Sequence, residues 1–355
     1  MPAPTPLRLI KSVAPVRICD HGGWTDTWFS GHGQICNIAV LPGAEVQLIA
    51  YPRASQRAQV QVYAENYAEH LAYDPAAWHL RPPLAHPHPL IAAALAEIAP
   101  PANLALDITI RSDIPAGAST GTSAAVTVAL LGALAALHPA QRTPHAIAAA
   151  AHRVETVRLG LQCGIQDQLC AAYGGINFID MATYPHARVE QLGLPAALRR
   201  ELERRLVLVF LGAAHQSSAV HTSVIARLER EGDASPILAG LRNCAVAARD
   251  ALCAGNWHRL GQVMAANTEL QRALHPALVS AQAQALIALA QAHGVVGWKV
   301  NGAGGAGGSV TLLCDAHPAA KQALLAAIPR LDERLRVLPV VLSRAGLQVW
   351  ESTEH

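Results

Sequence analysis

Two carboxylates, Glu155 and Asp167, stand twelve residues apart downstream of a loop that gathers glycines and hydroxyls, Ile114-Pro115-Ala116-Gly117-Ala118-Ser119-Thr120-Gly121-Thr122-Ser123-Ala124-Ala125. Such a loop suits phosphate: unpaired amides and the positive end of a helix favour an anion, and small residues let the backbone approach it. The hydroxyls of Thr122 and Ser123 can reach a phosphate or a phosphate-bound Mg²⁺. Phosphoryl transfer needs a metal to neutralise developing charge and a carboxylate to accept the proton of the attacking hydroxyl, and the two acids can divide that labour. Each piece also has a plainer reading. The loop can be a capped turn, Asp167 a helix cap or surface residue, and Glu155 the partner of Arg153 or Arg158 on an exposed helix, worth a few tenths of a kcal/mol.

The loop is not a Walker A motif, because Thr122 rather than lysine follows Gly121. A second cluster, Lys299-Val300-Asn301-Gly302-Ala303-Gly304-Gly305-Ala306-Gly307-Gly308, contains G-x-G-x-x-G at Gly302, Gly304 and Gly307. A dinucleotide fingerprint would open a helix there, whereas Ser309-Val310-Thr311-Leu312-Leu313 is strand-like, so the glycines are expected to join two strands. No H-R-D or D-F-G follows, which sets aside a protein-kinase glycine loop.

Taken in order, these stretches and an N-terminal one resemble the motifs of the GHMP kinases. Ala14-Pro15-Val16-Arg17-Ile18-Cys19-Asp20-His21-Gly22-Gly23-Trp24-Thr25-Asp26 is similar to Pro-x-Arg followed by a loop ending in Thr-Asp. It has the Gly-Gly-x-Thr-Asp form of the heptose-phosphate kinases, with Gly23-Trp24 where galactokinase has Glu-His, and Cys19-Asp20-His21 departs from both. The 114–125 loop resembles Pro-x-Gly-x-Gly-Leu-Gly-Ser-Ser-Ala-Ala at Pro115, Gly117, Gly121, Ser123, Ala124 and Ala125, and departs at Ser119, Thr120 and Thr122. Cys163-Gly164-Ile165-Gln166-Asp167-Gln168 resembles the Cys-Gly-Ile-x-Asp-Gln of galactokinase and the Gln-Asp-Gln of the heptose-phosphate kinase and fucokinase branches. The 302–308 cluster resembles Lys-x-(Ser/Thr)-Gly-Ala-Gly-x-Gly-Gly, with Asn301 in place of the hydroxyl residue.

The resemblance implies an α+β, two-domain GHMP kinase fold: an N-terminal domain over 1–190, like part of a ribosomal protein, and a ferredoxin-like C-terminal domain over 191–355. It implies ATP and Mg²⁺, and transfer of the γ-phosphoryl group to a hydroxyl of a sugar or sugar phosphate, with the anomeric hydroxyl expected. Asp167 would be the base and Arg17 its electrostatic partner, holding it ionised and offsetting charge at transfer. Glu155 with Ser123 or Thr122 would hold the metal. Pro115, Gly117, Ala118, Ser119, Thr120, Gly121, Thr122, Ser123, Gly302 and Gly304 would contact ATP, and Asp26, Trp24, Thr25, Gly23, His21 and Tyr173 the acceptor. Trp24 serves equally as core packing, and Asp20 with His21 as a structural pair. The alternatives are a kinase of a non-sugar polyol or other GHMP substrate, and a catalytically silent metabolite sensor.

The elements that must carry these residues are legible in outline. At 355 residues the chain exceeds a typical single domain, and 52% hydrophobic against 15% charged residues points to a compact globular protein. With 4% aromatics the core must rest on Ala, Leu, Val and Ile. A formal charge of +2 is too small for a nucleic-acid footprint or an anionic membrane partner, so a small ligand is expected. The seven cysteines, Cys19, Cys36, Cys163, Cys170, Cys244, Cys253 and Cys314, form no C-x-x-C pair, which fits free thiols in a cytoplasmic protein. Residues 1–11 carry no apolar h-region, and the apolar run 124–137 is too short to span a membrane.

Strands are predicted over 8–18, 35–50, 60–63, 104–110, 171–180 and 206–211. Helices are predicted over 87–98, 123–137, from 143 to about 160, 198–205, 236–255, 256–274 and 278–293. The alanine-rich helix 123–137 can bury its face within the subunit or between two subunits of a homodimer.

Overall fold

The computed structural model describes residues 6–53, 58–75, 83–213 and 219–352. The reading of the N-terminus as leaderless rests in part on residues 1–5, which lie outside them. Among the described residues two sheets form, of nine and four strands.

The larger sheet is built on β1 (Arg8–His21) and β2 (Gly33–Pro52), which run antiparallel and alternate apolar positions so that Ile10, Ala14, Val16, Ile38, Val46 and Leu48 are buried. Its further strands are β3 (Val60–Ala64), β4 (Glu69–Tyr73), β5 (Leu104–Ser112), β6 (Ile176–Thr183) and β7 (His186–Gln191). The order from the β1 side is β1, β2, β5, β3, β4, with β6 pairing β2 and β7 pairing β6; β3 and β5 are parallel. The register of β1 against β2 shifts between Ala14 and Val16 and again between Ile18 and His21, so Arg17 lies between two irregularities, where a strand can re-aim a side chain.

The smaller sheet contains β8 (Leu206–Phe210), β9 (Val295–Val300), β10 (Ser309–Cys314) and β11 (Arg336–Leu338), in the order β11, β8, β10, β9. The glycines 302–308 join β9 to its antiparallel partner β10, as expected, and no helix follows them directly. β12 (Val341–Leu342) and β13 (Gln348–Ser352) lie beyond residue 190 yet join the larger sheet, β12 on β2 and β13 on β1.

The helices are α1 (Pro89–Glu97), α2 (Thr122–Ala135), α3 (Pro144–Arg153), α4 (Gln166–Tyr173), α5 (Ala196–Arg205), α6 (Ala219–Glu231), α7 (Pro236–Ala254), α8 (Trp257–Leu274), α9 (Ala281–Ala292) and α10 (Pro318–Leu331). α2 is buried within the subunit: residues from Ala124 to Leu134 pack against β1 and β2, and the chain entering β13 approaches so closely that a Cβ on Gly132 would meet Leu347 at 2.7 Å. α7 packs on β1 and β2 as well, and one apolar core includes Ile18, Cys36, Ala245, Leu252 and Met264 from both halves of the chain.

Two expectations are corrected. The helix starting at Thr143, which caps it by accepting from Ala146 N, ends at Arg153 and passes into one π-helical turn, Val154–Arg158. Ala171 to Tyr173 are the end of α4 rather than the start of a strand, because Gly174 at φ 64° ends the helix and the strand begins at Ile176. The strands β4, β7, β11, β12 and β13 and the helices α4, α6 and α10 were not anticipated. Among the described residues no helix is long and apolar enough to cross a membrane.

Candidate active site

Three loops from distant parts of the chain meet around Arg17. Its Nε and Nη2 donate to the two carboxylate oxygens of Asp167 at 2.8 and 3.2 Å, and Nη1 donates to the Ser119 carbonyl. Its backbone amide donates to Thr120 O at 2.9 Å. Burial works against the guanidinium's charge, but Asp167 and Asp20 more than offset it and its pKa is raised. The third loop closes from the other side: Gly302 N donates to Asp20 Oδ1 at 3.1 Å, Cys19 N to Asn301 Oδ1 at 3.0 Å, and Ser309 Oγ to Ala118 O at 2.6 Å.

Asp167 projects from the first turn of α4, so Cys163 to Gln168 runs from loop into helix. Gly121, the N-cap of α2 at φ 70°, faces it: a Cβ there would lie 3.1 Å from the Asp167 carboxyl and would also be strained by the left-handed backbone. No side chain caps α2, so its first amides are free to receive an anion.

Glu155 sits in the π-helical turn, 8% exposed, and accepts from Gln168 Nε2 at 3.1 Å. Burial, aided by the nearby Asp167 charge, pushes its carboxyl up to about 7. The exposed ion pair is not formed by Glu155: Arg153 and Arg158 both bond Glu97, at 2.7 Å. Asp26 accepts from Gln166 N at 3.0 Å, at the start of α4, and burial pushes it up to about 6. This close approach needs Gly164, whose Cβ would lie 2.0 Å from Asp26 Oδ2.

Arg17, Asp20, Trp24, Asp26, Ser123, Glu155, Asp167 and Gly302 all line one cavity of about 240 Å³. A second cavity, of about 320 Å³, is mostly apolar, with Tyr67, Leu90, Ile91, Ile110, Ile114 and Val126 beside Gly117 and Thr122. Ser123 lines both, so the two spaces meet at the first turn of α2.

The other anticipated residues divide. Thr122 lines only the second cavity, its hydroxyl 3.2 Å from that of Thr120, so of the two hydroxyls only Ser123 shares a space with Glu155. Ala118 and Thr120 are buried, and Pro115 closes a turn by accepting from Ala118 N, so these serve the loop's shape. Ser119, at φ 57°, offers its carbonyl to Arg17, and its side chain packs beside Gly302 and Gly308. Gly304 packs on the Leu278 carbonyl and lines neither cavity.

Four acceptor assignments do not reach the cavity. His21 is buried against the Cys36 carbonyl at 3.3 Å, and burial followed by the charge of Lys299 lowers its pKa to about 4. The Thr25 hydroxyl is spent on Gly22 O at 2.8 Å and Gln34 O at 3.2 Å, and Gly23 forms a turn with Asp20 O. Tyr173 is at the far end of α4, its hydroxyl 3.2 Å from His145 Nδ1.

Sequence reasoning missed the buried pair Lys299 and Asp20, 3.4 Å apart, which ties β9 to the end of β1. It also missed Trp28 and Phe29, which line the cavity with Trp24. Three large aromatics within six residues of a chain that has 4% aromatics were the available signal.

The family model described as GHMP kinases N terminal domain matches residues 89–175, and that described as GHMP kinases C terminal matches residues 248–330. The chain is 25% identical over 247 residues to D-glycero-alpha-D-manno-heptose 7-phosphate kinase of Campylobacter jejuni, covering 70% of this chain and 71% of that one. It is 30% identical over 210 residues to mevalonate kinase of Methanothermobacter thermautotrophicus, covering 59% and 64%. Its fold is similar to that of a D-glycero-D-manno-heptose 1-phosphate kinase from Bacteriodes thetaiotaomicron, with a TM-score of 0.73 at 20% identity over 97% of this chain and 100% of that one.

Proposed function

Since the chain belongs to the GHMP kinases, with matches to both the N-terminal and the C-terminal model of that family, we propose that it transfers the γ-phosphoryl group of ATP to a sugar hydroxyl, the anomeric one, at the cavity around Asp167. The observation that carries this reading is that Asp167, gripped by Arg17, shares one cavity with Glu155 and with Ser123 at the uncapped start of α2. A base, a carboxylate for a cation and an anion-receiving helix end are then within one space.

The apolar second cavity suits the nucleotide base, and the uncapped amides at the start of α2 suit its phosphates, which would reach the acceptor where the two cavities meet. Asp167 takes the proton from the attacking hydroxyl, a role worth about 10² to 10⁴ in rate. Arg17 keeps Asp167 ionised and aimed. Asp26, at the opposite side of the α4 N-terminus, accepts from another hydroxyl of the acceptor and fixes its orientation.

Among the described residues no three His, Cys, Asp or Glu side chains cluster as a metal cage. That fits Mg²⁺ held jointly by a nucleotide and one or two protein groups, here Glu155 and the Ser123 hydroxyl. When bound, the ion supplies positive charge to the phosphate oxygens. The division of the chain at residue 190, with β12 and β13 returning to the first sheet, is proposed as the domain boundary.

Mg²⁺-dependent ADP release measured across a panel of sugars and polyols tests the function, and phosphorus NMR of the product identifies the modified hydroxyl. Failure of every acceptor to stimulate ADP release would sink the proposal.

A further inference from the structure

Building on that kinase reading, we infer that the acceptor is an uncharged, unphosphorylated sugar or polyol laid against an aromatic wall, and not a sugar phosphate. Arg17 is the only lysine or arginine among the described residues lining the cavity, and each of its three guanidinium nitrogens already donates to Asp167 or to the Ser119 carbonyl. Lys299 is completely buried against Asp20 and Gln271 and does not line the space. Around Arg17 stand four carboxylates, Asp20, Asp26, Glu155 and Asp167. An acceptor phosphate would therefore meet more carboxylates than cations, with no further guanidinium or ammonium among the described residues lining the cavity to receive it. The nucleotide's phosphates differ, since they bring their cation with them.

The same cavity also has an apolar part. Trp24, Trp28 and Phe29 line it, Trp28 and Phe29 meeting edge to face with ring centroids 5.0 Å apart. The loop holds Trp24 at φ 81°, a backbone region that bulky side chains seldom occupy, and its half-buried ring lines the cavity while packing on the small apolar cluster that includes Phe29 and Val224. Aromatic rings and a carboxylate lining one cavity suit the two sides of a neutral sugar: the C–H face would lie on the rings while the hydroxyl edge meets Asp26.

The test compares paired acceptors, each free sugar against its own terminal phosphate ester, by steady-state ADP release at saturating ATP and Mg²⁺. The free sugars should be preferred in kcat/KM by about 100-fold or more, as expected for placing like charges together. Trp24→Ala should raise KM for the free sugar about tenfold with a smaller change in kcat, and Trp24→Phe, which keeps an apolar ring, should restore most of it. Faster turnover of the phosphate esters overturns the inference while leaving the kinase reading intact. No ADP release with either member of any pair overturns both. Equal KM for wild type and Trp24→Ala removes the wall from acceptor recognition and with it half of the argument.

Discussion

Arg17 and Asp167, 150 residues apart in the chain, meet as a two-point pair in which each carboxylate oxygen receives its own N–H, at 2.8 and 3.2 Å. The same guanidinium also holds the Ser119 carbonyl, so the base and the phosphate loop share one anchor.

Replacing Asp167 with Asn keeps the shape of the pair and removes the proton acceptor. Turnover should fall by about 10² to 10⁴ while ATP affinity, read by calorimetry, stays close to that of wild type. Near-normal turnover would take the base role away from Asp167.

Arg17→Lys keeps the charge but not the planar fork, so one ammonium must choose between Asp167 and Ser119. A charge-assisted hydrogen bond is worth about 1.5–3 kcal/mol, which corresponds to a loss of roughly 10- to 100-fold in kcat. Full activity in this variant would show that the two-point geometry is dispensable.

Glu155→Gln should raise the Mg²⁺ concentration needed for half-maximal rate by about tenfold or more, at least what losing an outer-shell partner costs a metal site. An unchanged Mg²⁺ titration would remove Glu155 from the cation's surroundings.

Asp26 gives a stability prediction with a definite sign. Burial raises its folded-state pKa from 3.8 to about 6, so the folded protein binds this proton more tightly than the unfolded chain does. The cost of burying the charge is absent below the unfolded value, grows as pH rises through this window, and is complete above the folded value. Asp26→Asn should therefore stabilise the protein at about pH 8 by on the order of 2 kcal/mol, with the gain shrinking to nothing near pH 4. Melting temperatures of both proteins across that range provide the check, and a gain that grows on acidification would contradict it. The same variant should weaken acceptor binding, a stability cost retained for function.

The residues that converge at the site were readable where the chemistry is local. Arg17, Gly121, Ser123, Glu155 and Asp167 each stand in a short stretch whose composition already restricts what the backbone can do, and they do line one space or border it. Orientation was not readable. His21 ends β1 and Thr25 stands in the turn with Trp24 and Asp26, but both side chains are held by carbonyls of β2, His21 at Cys36 and Thr25 at Gln34, and such partners cannot be read from the local residues. Tyr173 was misplaced because the helix ends at Gly174, two residues before the strand begins. The pairing of Lys299 with Asp20 is purely tertiary, as is the return of β13 to β1, and neither leaves a mark in local spacing.

That returning strand has a consequence for synthesis. Residues 348–352 cover the outer edge of β1, matching Leu9 with Ser352 and Val13 with Gln348, and Leu347 fills the space above Gly132. A nascent chain therefore carries an unpaired edge and an open patch on its alanine-rich helix until this stretch leaves the ribosome. Premature termination only slightly upstream would release a product prone to edge-to-edge aggregation.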